Sequence, residues 1–515
     1  YEEEGVDFLD RLRGMFALAL WDGPRKRLVL ARDRFGKKPL FYHAGPEGLV
    51  FASELAALAA SGHFERRANL DAIDAYLCLQ YVPSPWTAYE GVYKLPAGSR
   101  LVCENGVVGE PERYFDLRFD QTRGGSFAEL TEQLHAEIED AVRVRMVSDV
   151  PLGAFLSGGL DSSLIVAMMA RHSSGPVKTF SVGFTSKDFS ELPYAKMVAD
   201  RYGTDHHELV VQPDMASVIP EFVRHYGEPF GDTSALPTWY LCQYTRTGVT
   251  VALSGDGGDE AFSGYRRYSH SQTARMLRNL PEPVPSILAK AIGSIPIAAA
   301  QQVRDYGRRL MEPEHVRFLG LAAHIPYEDR MALYTEEMRR SYADDRVAKR
   351  FGELYDAATT DDPINRLLEL DIKTYLTDDI LTKVDIASMA HSLEVRCPLV
   401  DQNLMVFAAS LRGSTKMRGL KTKLILREVA KPLLPPEILS RRKQGFGLPV
   451  DRWMREDLAP LSREVLLDQT ARERGILEPS AVETLLKQHQ RGEPRGDQIW
   501  ALMILELWYR EFIDQ

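Results

Sequence analysis

The sequence predicts a two-part α/β protein: a short sheet-rich region, then a parallel sheet flanked by helices that runs into a helical C-terminal part. Three observations carry that prediction. The chain has 515 residues, more than one ordinary core accommodates, so two or three domains are expected. Between 127 and 260, apolar runs of strand length alternate with amphipathic helical stretches. Beyond 265 the apolar residues recur at helical spacing.

The elements follow in order. An apolar run at 15–21, a turn at Asp22-Gly23-Pro24 and a second run at 27–31 read as paired strands. A third strand is expected at 49–52, helices near 54–61 and 71–80, and a hairpin over 100–108 with Asn105-Gly106 at its tip. Polar residues and two glycines place a boundary at 114–125, dividing the chain into 1–118 and 126–515. A Glu- and Ala-rich helix over 127–147 opens the second part. Strands are then expected at 151–156, 177–184, 208–211 and 249–253, with helices between them on both faces of a parallel sheet. Helices at 328–340, 345–358, 363–393 and 497–512 complete the chain. Trp500, Trp508 and Tyr509 read as core-facing residues of the last one.

Composition excludes several function classes. The 44% hydrophobic and 26% charged content is that of a soluble globular protein. A net charge of -10 lacks the basic footprint of a general nucleic-acid or membrane-surface binder. No run of about 18 apolar residues is present, so no membrane span is expected. Cysteines at 78, 103, 242 and 397 form no C-x-x-C pair and no zinc spacing, which reads as reduced thiols in a cytoplasmic protein. Tyr1-Glu2-Glu3-Glu4 has neither an initiator Met nor a signal-peptide layout, and the sequence is expected to begin inside a longer protein.

Ligands of a parallel sheet sit at the carboxyl ends of its strands, which singles out the segments after 156, 184 and 253. The first is Phe155-Leu156-Ser157-Gly158-Gly159-Leu160-Asp161-Ser162-Ser163. Its glycines let backbone approach an anion, its serines offer hydroxyls, and the helix that follows adds N–H groups and a positive dipole end. Asp161 would repel a phosphate unless a divalent cation bridged them, and Mg²⁺ suits a carboxylate plus phosphate oxygens. No lysine follows the glycines, so this is not the loop of γ-phosphoryl transfer. A glycine turn with a serine cap would explain a lone Gly-Gly; it does not explain the whole string.

The second segment, Ser254-Gly255-Asp256-Gly257-Gly258-Asp259-Glu260, packs three glycines and three carboxylates after an apolar strand. Alone it reads equally well as an acidic turn; beside the first loop it reads as a metal and nucleotide rim. The third, Arg441-Arg442-Lys443-Gln444-Gly445-Phe446-Gly447-Leu448-Pro449, sets basic residues beside flexible glycines, where they can neutralise a leaving pyrophosphate.

These motifs resemble those of the glutamine-hydrolysing asparagine synthetases. The resemblance extends through Gly14-Met15-Phe16-Ala17, Ala31-Arg32-Asp33-Arg34-Phe35-Gly36-Lys37-Lys38-Pro39-Leu40, Phe51-Ala52-Ser53-Glu54 and Leu393-Glu394-Val395-Arg396-Cys397-Pro398-Leu399-Val400-Asp401. It implies the C-terminal half of an α+β N-terminal-nucleophile glutaminase domain, followed by an ATP pyrophosphatase domain of the adenine nucleotide α-hydrolase kind. The implied reaction is adenylation of aspartate by ATP, then displacement of AMP by ammonia drawn from glutamine through a tunnel.

By position, the resemblance assigns Ser157, Gly158, Gly159, Ser162 and Ser163 to the pyrophosphate and Phe155 and Val182 to the adenine pocket. Ser254 and Gly255 fall to the nucleotide, and Asp161 and Asp259 to Mg²⁺. Lys443 matches a lysine that stabilises the adenylation transition state. Asp256, where some relatives have Glu, lies beside the aspartyl-AMP and can take a proton from attacking ammonia. Lys383 lies on a helix turned toward the site, or else is a surface lysine. Lys423 and Arg427, an i,i+4 basic pair on a helix, stay undecided. A homodimer is compatible with the family.

Two departures stand out. The family's glutaminase uses an N-terminal Cys, whereas residue 1 is Tyr and Cys78 is internal, so ammonia-dependent activity alone is expected of this chain. Gly231-Asp232-Thr233-Ser234-Ala235-Leu236-Pro237 offers Ser and Thr where some relatives place an arginine suited to the aspartate carboxylate. Amidation of another carboxylate in a biosynthetic cluster is the alternative enzyme reading, and a degenerate regulatory protein the non-enzyme one. A tRNA thiolase shares the first loop but needs catalytic cysteines and a basic surface. His206 and His207 are adjacent on a strand and point to opposite faces, which argues against a metal pair.

Overall fold

The computed structural model describes residues 1–46, 48–119, 123–184, 191–211, 215–281, 283–293, 307, 310–441 and 449–514. The first region holds two antiparallel sheets. One joins β1 (Ala17–Asp22), β2 (Arg27–Arg32), β6 (Ser99–Glu104) and β7 (Val107–Val108), with β8 (Glu112–Arg113) also on β6; the other orders β4 (Gly48–Ala52), β3 (Phe41–Gly45) and β5 (Val92–Lys94). Leu30, Leu40, Tyr42, Leu95 and Leu101 form a shared apolar core. Asn105 (φ 51°) and Gly106 (φ 83°) both adopt left-handed backbone, as the two-residue turn of a tight hairpin demands. Strands β3 and β5 go beyond the sequence reading. Helices α1 (Leu55–Ala60) and α2 (Leu70–Leu79) stand close to the predicted spans, α2 capped by the Asn69 side chain.

Helix α3 (Phe127–Arg145) opens the second region with a reciprocal capping box between Ser126 and Glu129. Next comes a five-stranded parallel sheet in the order β11 (Asp205–Val211), β10 (Lys178–Phe184), β9 (Leu152–Phe155), β12 (Val251–Leu253) and β13 (Glu394–Arg396). Crossovers run through α4 (Leu160–His172), α5 (Leu192–Tyr202), α6 (Met215–Tyr226) and α7 (Ala235–Arg246). Chain order reverses between β9 and β12, and a crevice opens at their carboxyl ends.

Three expectations need correction. The helix expected over 328–340 is two, Tyr327–Leu333 and Glu336–Ser341, because the Thr335 side chain caps the Met338 N–H and restarts the helix. The single helix expected over 363–393 is three segments, Pro363–Asp371, a π-helical Ile372–Leu381 and Thr382–Met389, followed by β13. Lys423 and Arg427 do not share a helix: Lys423 is left-handed (φ 53°) and precedes the helix Leu424–Ala430.

The regions share one apolar core. Tyr76 and Tyr89 of the first lie in the same cluster as Trp500 and Trp508 of the C-terminal helix Gly496–Phe512, all fully or almost fully buried. Tyr89 donates to the Gly227 carbonyl (3.0 Å) and Trp508 Nε1 to the same oxygen (3.0 Å). Trp500 Nε1 donates to Gly231 O (3.0 Å), and Gly231 N–H to Gln80 O (2.7 Å). Residues 227–231 are thereby gripped from both regions just before Asp232.

Candidate active site

At the end of β9 the chain turns through Ser157, Gly158 and Gly159 into α4. Gly158 is left-handed (φ 68°), and a Cβ there would stand 2.5 Å from the backbone of Tyr194 and Ala195, so only glycine lets α5 close on the loop. Ser157 Oγ accepts from the Gly159 N–H (3.2 Å) and meets Ser162 Oγ at 3.0 Å. Gly159 is the N-cap of α4 and supplies no side chain to its first-turn N–H groups, at the border of the crevice.

The loop after β12 is fitted against the first. A Cβ on Gly255 would lie 2.6 Å from Ser162 N, and one on Gly258 2.7 Å from Asp161 Oδ1. One on Gly264 would overlap Asp259 Oδ1 at 1.7 Å. The glycines are spacers that let two loops nest. Asp161 Oδ2 and Asp259 Oδ1 consequently converge on one ammonium, Lys423 Nζ, at 2.5 and 2.6 Å. Two carboxylate oxygens gathered around a single positive charge form a donor set that a divalent cation fits. Among the described residues no three His, Cys, Asp or Glu side chains cluster as a metal cage, so such a cation would be completed by phosphate oxygens or water.

These loops border a cavity of about 460 Å³. Part of its lining is apolar, with Phe155, Phe180, Val182, Leu192 and Leu241; Ser157, Gly159, Asp161, Ser162, Ser254, Gly255 and Asp259 supply polar groups. Of the residues singled out in the sequence, Gly158 and Ser163 stay off the wall: Gly158 backs onto α5, and Ser163 is fully buried one turn into α4. Arg441 also lines the cavity, beside Ser157. It pairs with Glu191 (2.6 Å), donates to Ser157 O (3.4 Å) and stacks 4.2 Å from the Tyr194 ring. Lys443 lies outside the described residues.

The same cavity is lined by Asp232, Ser234, Asp256, Lys383, Tyr265 and Tyr375. Lys383 is not on the surface; it is 7% exposed, and its Nζ lies 2.6 Å from Asp232 Oδ2 and 2.8 Å from Ser234 Oγ. Burial alone would push the Asp232 carboxyl up, but the Lys383 ammonium and the Ser234 hydroxyl outweigh it and bring it down to about 2. Burial, with the Asp232 charge added, drives neighbouring Asp379 well above the usual carboxylate range. The sequence reading did not commit to Asp232, Lys423 or the Glu191–Arg441 pair. Asp232 lay in a segment already suspected of choosing the acceptor, and Lys423 was misplaced on a helix face.

A family model for asparagine synthase matches residues 133–510, and a glutamine amidotransferase domain model matches 1–115. The chain belongs to the asparagine synthase family. Its relatives include a putative asparagine synthetase [glutamine-hydrolyzing] of Mycobacterium bovis, 33% identical over all of this chain and 79% of the relative. Asparagine synthetase [glutamine-hydrolyzing] 1 of Bacillus subtilis is 31% identical over 99% of this chain and 79% of its own length. Amidase chry2 of Gibberella zeae is 26% identical, covering 88% of this chain and 72% of that one. The crevice thus belongs to the asparagine synthase portion of the chain, while Asp33 to Lys38 and α2 come from the amidotransferase portion.

Proposed function

We propose that this chain is an ATP-dependent carbon–nitrogen ligase that adenylates the side-chain carboxylate of aspartate and releases asparagine, AMP and pyrophosphate. The observation that carries the reading is the nesting of the Ser-Gly-Gly loop with the acidic loop around one positive charge, on the wall of one cavity. The apolar part of that wall, with Phe155 and Val182, suits adenine. Ser157, Gly159 and Ser162, with the α4 N–H groups, would hold the pyrophosphate while Gly158 lets the loop turn, and Ser254 and Gly255 would hold the rest of the nucleotide. Asp161 and Asp259 would hold Mg²⁺, whose contribution is to offset the charge of the phosphates. Their shared grip on the Lys423 ammonium supports this, since the same oxygens already accept a cation.

In the first half-reaction a carboxylate oxygen of the acceptor attacks the α-phosphorus, and pyrophosphate leaves with the bonding electron pair. Lys443 would stabilise the charge that develops there. In the second, the ammonia lone pair forms the new C–N bond while the C–O bond to AMP breaks. One proton passes from nitrogen to Asp256, which lines the cavity near Lys383. Lys383, held by Asp232 and Ser234, orients the acceptor.

Ammonia is the nitrogen that reacts in this reading, and burial pushes the Cys78 thiol up to about 12, which suits no nucleophile. The synthetase unit would be 126–515, working in the cytoplasm. The test is product identification. With ATP, Mg²⁺, ammonium and aspartate, pyrophosphate and asparagine should appear in equal amounts, and both should vanish without aspartate. A folded, ATP-binding chain that forms neither would refute aspartate as acceptor and turn attention to residues 231–237.

A further inference from the structure

Lys423 is 4% exposed on the cavity wall, and its ammonium stands 2.5 Å from Asp161 Oδ2 and 2.6 Å from Asp259 Oδ1. Two carboxylates gathered this way in a sheltered site repel one another, so a cation must stand between them. A Mg²⁺ bound to the same two oxygens would sit about 2.0–2.1 Å from each. Added to the lysine's own distances, that reach keeps metal and ammonium within about 5 Å, wherever around the oxygens the metal stands. The two cations therefore repel and compete for one pair of carboxylates.

The backbone that delivers the lysine is held in an unusual conformation. Lys423 is left-handed (φ 53°), which residues with a Cβ adopt reluctantly, and it caps the helix Leu424–Ala430. The Arg427 N–H donates to the Lys423 carbonyl (2.8 Å), and the Arg427 guanidinium to the Thr422 carbonyl (3.0 Å). Gly264 leaves room for the side chain, since a Cβ there would stand 2.3 Å from Lys423 Cε. The carboxylates come from the two strand-end loops, whereas the ammonium comes from a third segment that also lines the cavity with Thr422 and Arg427. On its flexible stem, an ammonium released from the carboxylates stays beside the place assigned to the triphosphate, whose oxygens attract it.

We propose that Lys423 is a resident counter-cation that closes the metal position to free divalent ions. It holds Asp161 and Asp259 together until ATP carries Mg²⁺ in, then transfers to the phosphates, so metal affinity is tied to the nucleotide. This rests on the metal assignment within the ligase reading, but its test needs no turnover. Mn²⁺, a paramagnetic ion that suits the same oxygen ligands, is titrated into the chain without nucleotide and followed by electron paramagnetic resonance. Lys423→Met should bind Mn²⁺ about tenfold or more tightly than the parent, the size of effect one neighbouring charge exerts. Adding Asp259→Asn to that variant should abolish the gain. The melting temperature of Lys423→Met should fall without metal and recover with Mn²⁺, while that of the parent responds little. Equal Mn²⁺ affinity in parent and variant, or a gain that survives Asp259→Asn, would overturn the assignment. If Lys423→Met does not fold, Lys423→Gln is read in the same way; failure of both to fold even with Mn²⁺ would show that a metal cannot take the lysine's place, and would overturn it too. A chain that shows the Mn²⁺ gain yet forms no amide sinks the ligase reading alone, whereas an active parent whose variant binds Mn²⁺ no better sinks this inference alone.

Discussion

Two buried lysines show how differently one residue type behaves at the residue scale. Lys383 has a carboxylate partner, and the pair stabilises the fold wherever Asp232 is ionised. Because the folded Asp232 carboxyl sits near 2, below the ordinary value of about 4, that contribution is complete above about pH 4 and fades as pH falls through 2. Lys383→Met should therefore abolish amide formation, cost about 3–5 kcal/mol at neutral pH, and flatten the acid limb of the melting curve. Lys416 has no ion pair among the described residues; it is fully buried, donates to Asn365 Oδ1 (2.9 Å) and stands 5.0 Å from the centre of the Phe119 ring. Burial, only partly offset by Asp362, lowers it to about 7. The unfolded chain then holds one more proton between about pH 7 and 10, so stability rises with pH across that window. Lys416→Met should remove the rise and add on the order of 2 kcal/mol at pH 7, read from denaturant melts; an unchanged slope would show that another group titrates there. Asp256 was singled out within an ordered motif and Lys383 only through the family resemblance, and both line the cavity; the place of Lys423 was not legible, because nothing in Thr422-Lys423-Leu424 announces a left-handed residue.

At the scale of elements, the site is two strand-end loops made complementary by glycines. The prediction that belongs here concerns shape rather than charge. Gly264→Ala puts a methyl group into the space of Asp259 Oδ1 and Lys423 Cε, so Asp259 must move off the shared cation position. ATP affinity in the presence of Mg²⁺, measured by calorimetry, should drop by about tenfold or more while the melting temperature changes little. Undiminished binding would show that Asp259 is not part of the nucleotide site. The strand–loop–helix units around β9 and β12 could be read because apolar runs ended in motifs. Strand β13 could not, since three residues leave no period to detect. Nor could the π-helical segment, whose sequence carries ordinary helical spacing and which brings Tyr375 and Ile380 to the cavity wall.

For the molecule as a whole, the boundary at 114–125 is a boundary in sequence more than in packing. Asp74 of α2 accepts from the fully buried Arg330 (2.9 Å) and Tyr334 (2.6 Å), tying the amidotransferase portion to the ligase helices. Asp74→Ala leaves the Arg330 guanidinium paired only with half-buried Asp345, and should cost about 3–5 kcal/mol. It should also move one unfolding transition rather than split it in two, because the apolar core is continuous. Separate transitions in differential scanning calorimetry would contradict that continuity. Composition could mark the polar linker but not these contacts, which join residues more than 250 positions apart. Tyr89, Gln80, Trp500 and Trp508 of the shared core hold Gly227 and Gly231 just before Asp232, so integrity of that core is a condition for the Asp232–Lys383 part of the cavity.

The most direct test of the central claim follows the acceptor's oxygen. With ATP, Mg²⁺, ammonium and aspartate carrying ¹⁸O in its side-chain carboxylate, adenylation must move one labelled oxygen into AMP when ammonia displaces it. Mass spectrometry should find one ¹⁸O per AMP and none in pyrophosphate. Label in inorganic phosphate, or AMP without label alongside newly formed asparagine, would contradict the adenylation account.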